Sequence, residues 1–238
     1  MLAGFVNKIL DIARPIETLV YGGVEYTSRQ IHKVAREKAS AIEIHTLTGL
    51  RDYLVENKDQ LAYDQIIVRV LSPDKVTVMS VLDPHHRDRD FYIQSECETT
   101  KFTFGKFYDL ESFNIALQSM FVQTDISRAL LQQVGNISND SNVTHADDGV
   151  SQQITVKAGV RLVAETVAMN PVALKPYRTF REIEQPESRF IFRLRKSGDG
   201  VPTAGLFEAD GGAWENEAIL SIAAWLRDNL PENIVVIA

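Results

Sequence analysis

One cysteine, Cys97, in 238 residues rules out an internal disulfide and a cysteine-rich zinc site. A lone cysteine near a histidine base can act as a nucleophile, but in a reducing compartment it is far more often a small packed hydrophobe. Cys97 is read that way. No apolar run of about eighteen residues occurs, so no membrane-spanning helix is expected. The opening MLAGFVNKILDIARP includes Asp11 and lacks a small-residue cleavage pattern, which leaves a cytoplasmic protein as the expectation. GxGxxG, GxxxxGK[ST], GxSxG and HExxH are all missing. Nucleotide-fold enzymes, P-loop motors, serine hydrolases and zincins are disfavoured accordingly, and no cofactor is implied. Heptads, internal repeats and low-complexity tracts are absent too.

What is present starts with an excess of acid. A formal charge of −7 opposes electrostatic wrapping of nucleic acid, which needs a field of the opposite sign. With 45% hydrophobic residues the chain has enough apolar material for a sizeable core, in one large domain or two modest ones. One local basic feature stands against the overall charge. In RFIFRLRK, strand alternation places Arg189, Arg193 and Arg195 on one face and Phe190, Phe192 and Leu194 on the other. An arginine row facing water suits phosphate or an acidic partner. The simpler reading is an edge strand whose arginines pair with Glu182, Glu184 or Glu187.

Local patterns predict intermixed helices and strands. Leu2, Phe5, Val6, Ile9, Leu10 and Ala13 recur at helical spacing before Pro15, giving an amphipathic helix that either packs at home or docks on another subunit. TLVYGGVEYT reads as a hairpin turned at Gly22-Gly23. Ser28 suits the cap of a helix running to Lys38, AIEIH suits a strand, and Thr46 or Thr48 caps a helix ending near Asn57. QIIVRVLSPDKVTVMSVLD is a strand pair around the turn Ser72-Pro73-Asp74-Lys75. Asp109 caps a helix whose core face is Phe113, Ala116, Leu117, Met120 and Phe121.

Residues 135–149 are polar and turn-prone and read as a long loop or boundary between a mixed α/β portion, 1–134, and a portion spanning 150–238. In the latter, VSQQITVK, RLVAETVAM, SRFIFRLRK and TAGLFEAD suggest an antiparallel sheet, closed by a helix over Ala213 to Asn229 and followed by the strand IVVIA. The fold class is therefore α+β, with a mixed α/β N-terminal portion and an antiparallel C-terminal sheet packed against a long helix, in one continuous unit or two. Three acidic constellations invite a metal reading: Asp140, His145, Asp147 and Asp148; Glu208 and Asp210 beside Gly211-Gly212; and the HHRDRD run from His85. The spacings match no ligand pattern, so solvated turns are favoured, with Asp210 capping the helix that follows.

The run NPVALKPYRTFREIEQPESRFIFRLRKSGDGVPTAGLFEADGGAW, with HTLTGLRDYL at His45 and DDGVSQ at Asp147, resembles a group of bacteriophage and prophage proteins of unknown function. The resemblance spans most of the chain and implies a phage origin and residence in the host cytoplasm. It carries no catalytic residues. The leading expectation is a non-enzymatic phage accessory protein acting by binding, with self-assembly as a homo-oligomer. Its candidate binding residues are Tyr177, Arg178, Arg189, Arg193 and Arg195. A metal-dependent hydrolase or nuclease using Asp147, Asp148, Glu208 and Asp210 is the rival. A single-strand nucleic-acid binder stacking bases on Tyr177 or Phe180 comes third.

Overall fold

The computed structural model describes the chain except residues 1, 14–16, 22–23, 28–37, 85–86, 138–141, 148–151, 159–160 and 168–169. Side chains at 2, 11, 21, 24–25, 27, 142–147, 152–158 and 161–167 also lie outside the description. The turn at Gly22-Gly23, the helix expected from Ser28, His85 and His86, Asp140 and Asp148 all fall in those gaps. The chain divides into two units, Met1–Ala39 and Ser40–Ala238.

The first unit holds helix α1 (Leu2–Ala13) and an antiparallel hairpin of β1 (Thr18–Tyr21) and β2 (Val24–Thr27). On α1 the apolar stripe is open: Phe5, Ile9 and Ile12 are 67%, 49% and 72% exposed.

The second unit begins with β3 (Ile42–Ile44) and α2 (Leu47–Glu56). Thr46 caps α2 by accepting from the Gly49 amide at 3.0 Å, and Asn57 ends it in a left-handed conformation. Strands β4 (Ile66–Ser72), β5 (Lys75–Ser80) and β6 (Phe91–Glu96) follow, then β7 (Phe107–Asp109), α3 (Leu110–Ser119) and α4 (Asp125–Gly135). Next come β8 (Asn142–Asp147), β9 (Gln152–Ala158), β10 (Arg161–Val167), β11 (Val172–Leu174), β12 (Ser188–Lys196) and β13 (Pro202–Glu208). Helix α5 (Ala213–Asn229) and β14 (Val235–Ile237) complete the α+β fold.

These strands form three sheets. The order β14-β4-β5-β6-β3 is mixed, with parallel edges at β14 and β3. Its core joins Ile66, Val68, Val76, Val78 and Ile93 to Leu47, Leu50 and Leu54 of α2 and to Ile222 and Leu226 of α5. Cys97 is buried in this cluster, and burial raises its thiol above the ordinary range. The order β11-β12-β13-β7 is antiparallel throughout. Phe190, Phe192, Leu194, Ala204 and Leu206 pack from it onto Phe113, Leu117, Leu130 and Val134 of α3 and α4. The third sheet is the antiparallel meander β10-β9-β8.

Three expectations require correction. Part of the polar segment 135–149 is strand β8, whose backbone pairs with β9 from Asn142 to Asp147. That segment is also not where the chain divides, since β13 pairs with β7 and β14 with β4, knitting early and late sequence together. The four C-terminal strands do not share one sheet: β9 and β10 pair with β8, whereas β12 and β13 pair with β11 and β7. Helix α5 lies on β4 and β14 and beside α2.

Candidate binding cleft over Arg178

The segment 175–188 is a strap running between the five-stranded and four-stranded sheets. It starts against the end of α3, where Val122 donates to the Lys175 carbonyl and Tyr177 to the Met120 carbonyl, both at 2.8 Å. Gln185, buried, folds the strap on itself. Its Oε1 accepts from the amides of Arg178 and Thr179 at 3.1 and 3.3 Å, and its Nε2 donates to the Phe180 carbonyl at 2.9 Å. The Thr179 hydroxyl donates to the carbonyl of Pro73 in the β4–β5 turn, and the Thr48 amide donates to Glu182 Oε1 at 3.0 Å. Phe180 and Ile183 enter the core under the five-stranded sheet, while Phe190, two residues past the strap, belongs to the other core.

Arg178 projects from this strap into a nearly closed setting, its side chain 5% exposed. Nη1 donates to Glu208 Oε1 at 2.9 Å and Nη2 donates to the Ser188 hydroxyl. The guanidinium carbon lies 3.7 Å from the centroid of the Trp214 ring, with Phe190 and Phe104 at 5.9 and 6.0 Å. Burial pulls its pKa down to about 10, against the opposing pull of Glu208, Asp210 and Glu215. Nε has no hydrogen-bond partner, and neither does Oδ2 of Asp210.

The turn before α5 brings Trp214 to this position. Gly211 and Gly212 hold φ of 64° and 81°, a left-handed path that suits glycine, and Asp210 Oδ1 accepts from the Gly212 amide at 3.1 Å. Asp210 thus closes a turn onto Gly212. It does not cap the helix as expected, because the N-cap residue is Gly212 and no side chain satisfies the first-turn amides.

Above Arg178 lies a cavity of about 430 Å³. Phe102 and Phe104, from the loop between β6 and β7, line it together with Tyr177, Trp214, Lys101 and Glu215. The β4–β5 turn closes one side, and there Asp74 accepts from Lys101 at 2.5 Å and from the Ser72 hydroxyl at 2.7 Å. Partial burial pushes the Asp74 carboxyl up, yet those two hydrogen bonds and the Lys101 charge bring it below the ordinary value.

The candidate residues separate into two sets. Tyr177, Arg178 and Glu208 line the cleft with Asp210 close by, whereas Arg189, Arg193 and Arg195 occupy the opposite face of β12, following the strand period. On that outer face the Arg195 guanidinium sits 3.8 Å over the Phe107 ring, which meets Phe207 edge-on at 5.5 Å. Two of the acids expected to pair with these arginines are engaged elsewhere: Glu182 by Thr48 and Glu184 by Lys175. Phe180, expected as an exposed stacking platform, is fully buried because the strap turns it into the core. Asp147 ends β8 with its side chain outside the description, as Asp148 is entirely. Among the described residues no three His, Cys, Asp or Glu gather as metal ligands.

Sequence reasoning missed Trp214 as the lid on Arg178, giving it no role beyond its place in the helix expected from Ala213. It read Ser72 to Asp74 only as a turn and gave no role to Lys101, Phe102 or Phe104. The Phe-x-Phe spacing at 102–104 was the available signal. No protein-family model, no curated protein and no solved structure matches this chain.

Proposed function

We propose that this protein is a bacteriophage accessory protein that works by binding, through the cleft over Arg178, and that it self-associates through α1. The observation supporting the cleft is that each of its two cations already has a carboxylate partner. Lys101 is paired with Asp74 and Arg178 with Glu208, which favours recognition over proton transfer or nucleophilic attack. The host protein, phage complex or nucleic-acid intermediate it meets then gains contact surface. A divalent-ion-dependent hydrolysis that disappears in Asp210→Asn overturns this reading in favour of the hydrolase.

Self-association rests on α1. Fully burying Phe5, Ile9 and Ile12 is worth roughly 1.5–3 kcal/mol each, and Lys8 and Asp11 balance in charge, so a second copy of the helix meets no net repulsion. Light scattering at micromolar concentration is expected to give a mass above the monomer. The double change Phe5→Ser with Ile9→Ser should return it to monomer, and a parent that is already monomeric ends the idea.

A second reading, single-strand nucleic-acid binding, is favoured by the outer face of β12. Arg189 and Arg195 there accompany Phe107 and Phe207, supplying cation and ring together. Filter retention of a single strand should then be strongest at low salt and fall in Arg195→Ala. No retention at low salt removes this reading.

A further inference from the structure

Side chains in the cleft divide by chemistry. Phe104, Tyr177 and Trp214 offer ring surface and stay partly open to solvent. Asp74, Glu208 and Glu215 offer carboxylate acceptors against two cations, Lys101 and Arg178, which leaves one net negative charge. Both cations are already engaged, at 2.5 and 2.9 Å.

That pattern selects among ligands. A polyphosphate meets a net negative field with both cations spent. A bare metal ion finds no group of three ligating side chains among the described residues. A flat, uncharged ring bearing N–H donors meets neither obstacle: aromatic walls stack on it and carboxylates accept its N–H groups. At about 430 Å³ the cavity sits toward the small end of ligand sites, roughly 300–1,000 Å³, which suits one heterocycle and its sugar.

We infer that the cleft binds a guanine base, carried as a nucleoside or a monophosphate, whose N–H edge faces the carboxylates, Glu215 first among them, and whose ring stacks on the aromatic walls. This inference rests on the reading of the cleft as a binding site and names its ligand class. Guanine presents two adjacent N–H donors, N1–H and N2–H, to a single carboxylate, whereas adenine has no such pair.

Isothermal titration calorimetry of the full chain tests it, with guanosine, GMP, adenosine and GTP as probes. Guanosine and GMP are expected to bind saturably, and adenosine and GTP at least about tenfold more weakly. Tyr177→Ala and Glu215→Gln should each weaken guanosine by roughly tenfold, the scale of one lost base stack for the first and of one lost charge-assisted hydrogen bond for the second. Both alter groups at the cleft mouth, and unchanged thermal unfolding shows that the fold survives. GTP binding as tightly as GMP overturns the charge argument. Overturning results for the site are no heat from any probe up to millimolar concentration, or guanosine binding that both variants leave intact. An arginine-bearing peptide that binds, lost in Glu215→Gln, with nucleosides inert, refutes the ligand class while the binding reading stands. Silence from peptide and nucleosides alike, together with metal-dependent turnover, ends both.

Discussion

Glu208 and Arg178 share one 2.9 Å ion pair, yet deleting either partner should have unequal consequences. Glu208 is 44% exposed and Arg178 5%, so each variant leaves the surviving charge in a different medium. In Glu208→Ala the guanidinium stays buried but loses the carboxylate that offsets much of that burial, with Asp210 and Glu215 still favouring its charged form. A charge-assisted hydrogen bond worth about 1.5–3 kcal/mol is lost, and water reaching Nη1 recovers part of it, so a loss of about 2 kcal/mol is expected. In Arg178→Met the same bond goes, with about 1 kcal/mol from Ser188 and about 2 kcal/mol of cation–π attraction to Trp214. Against this, several kcal/mol of desolvation are relieved, Glu208 returns to water, and an apolar chain lies between Trp214 and Phe104. The net should fall within about 1 kcal/mol of the parent. The double variant should match Arg178→Met, because Glu208 has no partner left to lose. Urea unfolding followed by tryptophan fluorescence reads these differences, provided the slope with denaturant is unchanged. Arg178→Met costing clearly more than Glu208→Ala would show the guanidinium to be a net anchor of the fold and refute the reasoning.

Further outcomes follow from local geometry. A Cβ at Gly205 would lie 2.7 Å from the Lys106 carbonyl oxygen and 3.3 Å from Phe107, so Gly205→Ala must displace β7 and should cost about 1–3 kcal/mol in a thermal or urea melt. Thr124 and Ser127 form a reciprocal capping box at the start of α4, and Thr124→Ala should cost about 1 kcal/mol by the same measurement. Burial first, then donation to Asp59, raises the Tyr53 phenol to about 12 from 10.0. The folded state therefore favours the neutral phenol: its contribution to stability is full below pH 10 and fades as pH rises toward about 12. Phenolate absorbance should show one late-titrating tyrosine, and Asp59→Asn should bring it earlier; an unmoved titration refutes the assignment.

Signals carried by neighbouring residues were legible. The helix Leu2–Ala13, the pair β4–β5 and the caps Thr46 and Asp109 depend on spacing and local hydrogen bonds, which a sequence displays directly. Strand β8 was hidden because a polar run shows no sign of the backbone pairing it makes with β9. Which sheet β12 and β13 join was equally hidden, since β7 lies far upstream. The PYRTF and EQPES residues show why a site is harder to read than a strand. Arg178, Thr179, Gln185 and Ser188 look like an exposed polar patch in sequence, yet all four are buried and bonded to one another, to backbone or to Glu208. Polarity announces a hydrogen-bond requirement and does not say whether water, ligand or the chain itself meets it. Here the chain meets nearly all of it, so these residues build the cleft and are poor candidates for choosing its occupant. That choice falls to side chains with open surface and no conspicuous pattern, among them Lys101 and Glu215. Substitutions at these two positions should therefore alter ligand preference at little cost to stability, whereas Gln185→Ala, which removes the acceptor for two strap amides, should unfold the strap and abolish binding of every ligand together.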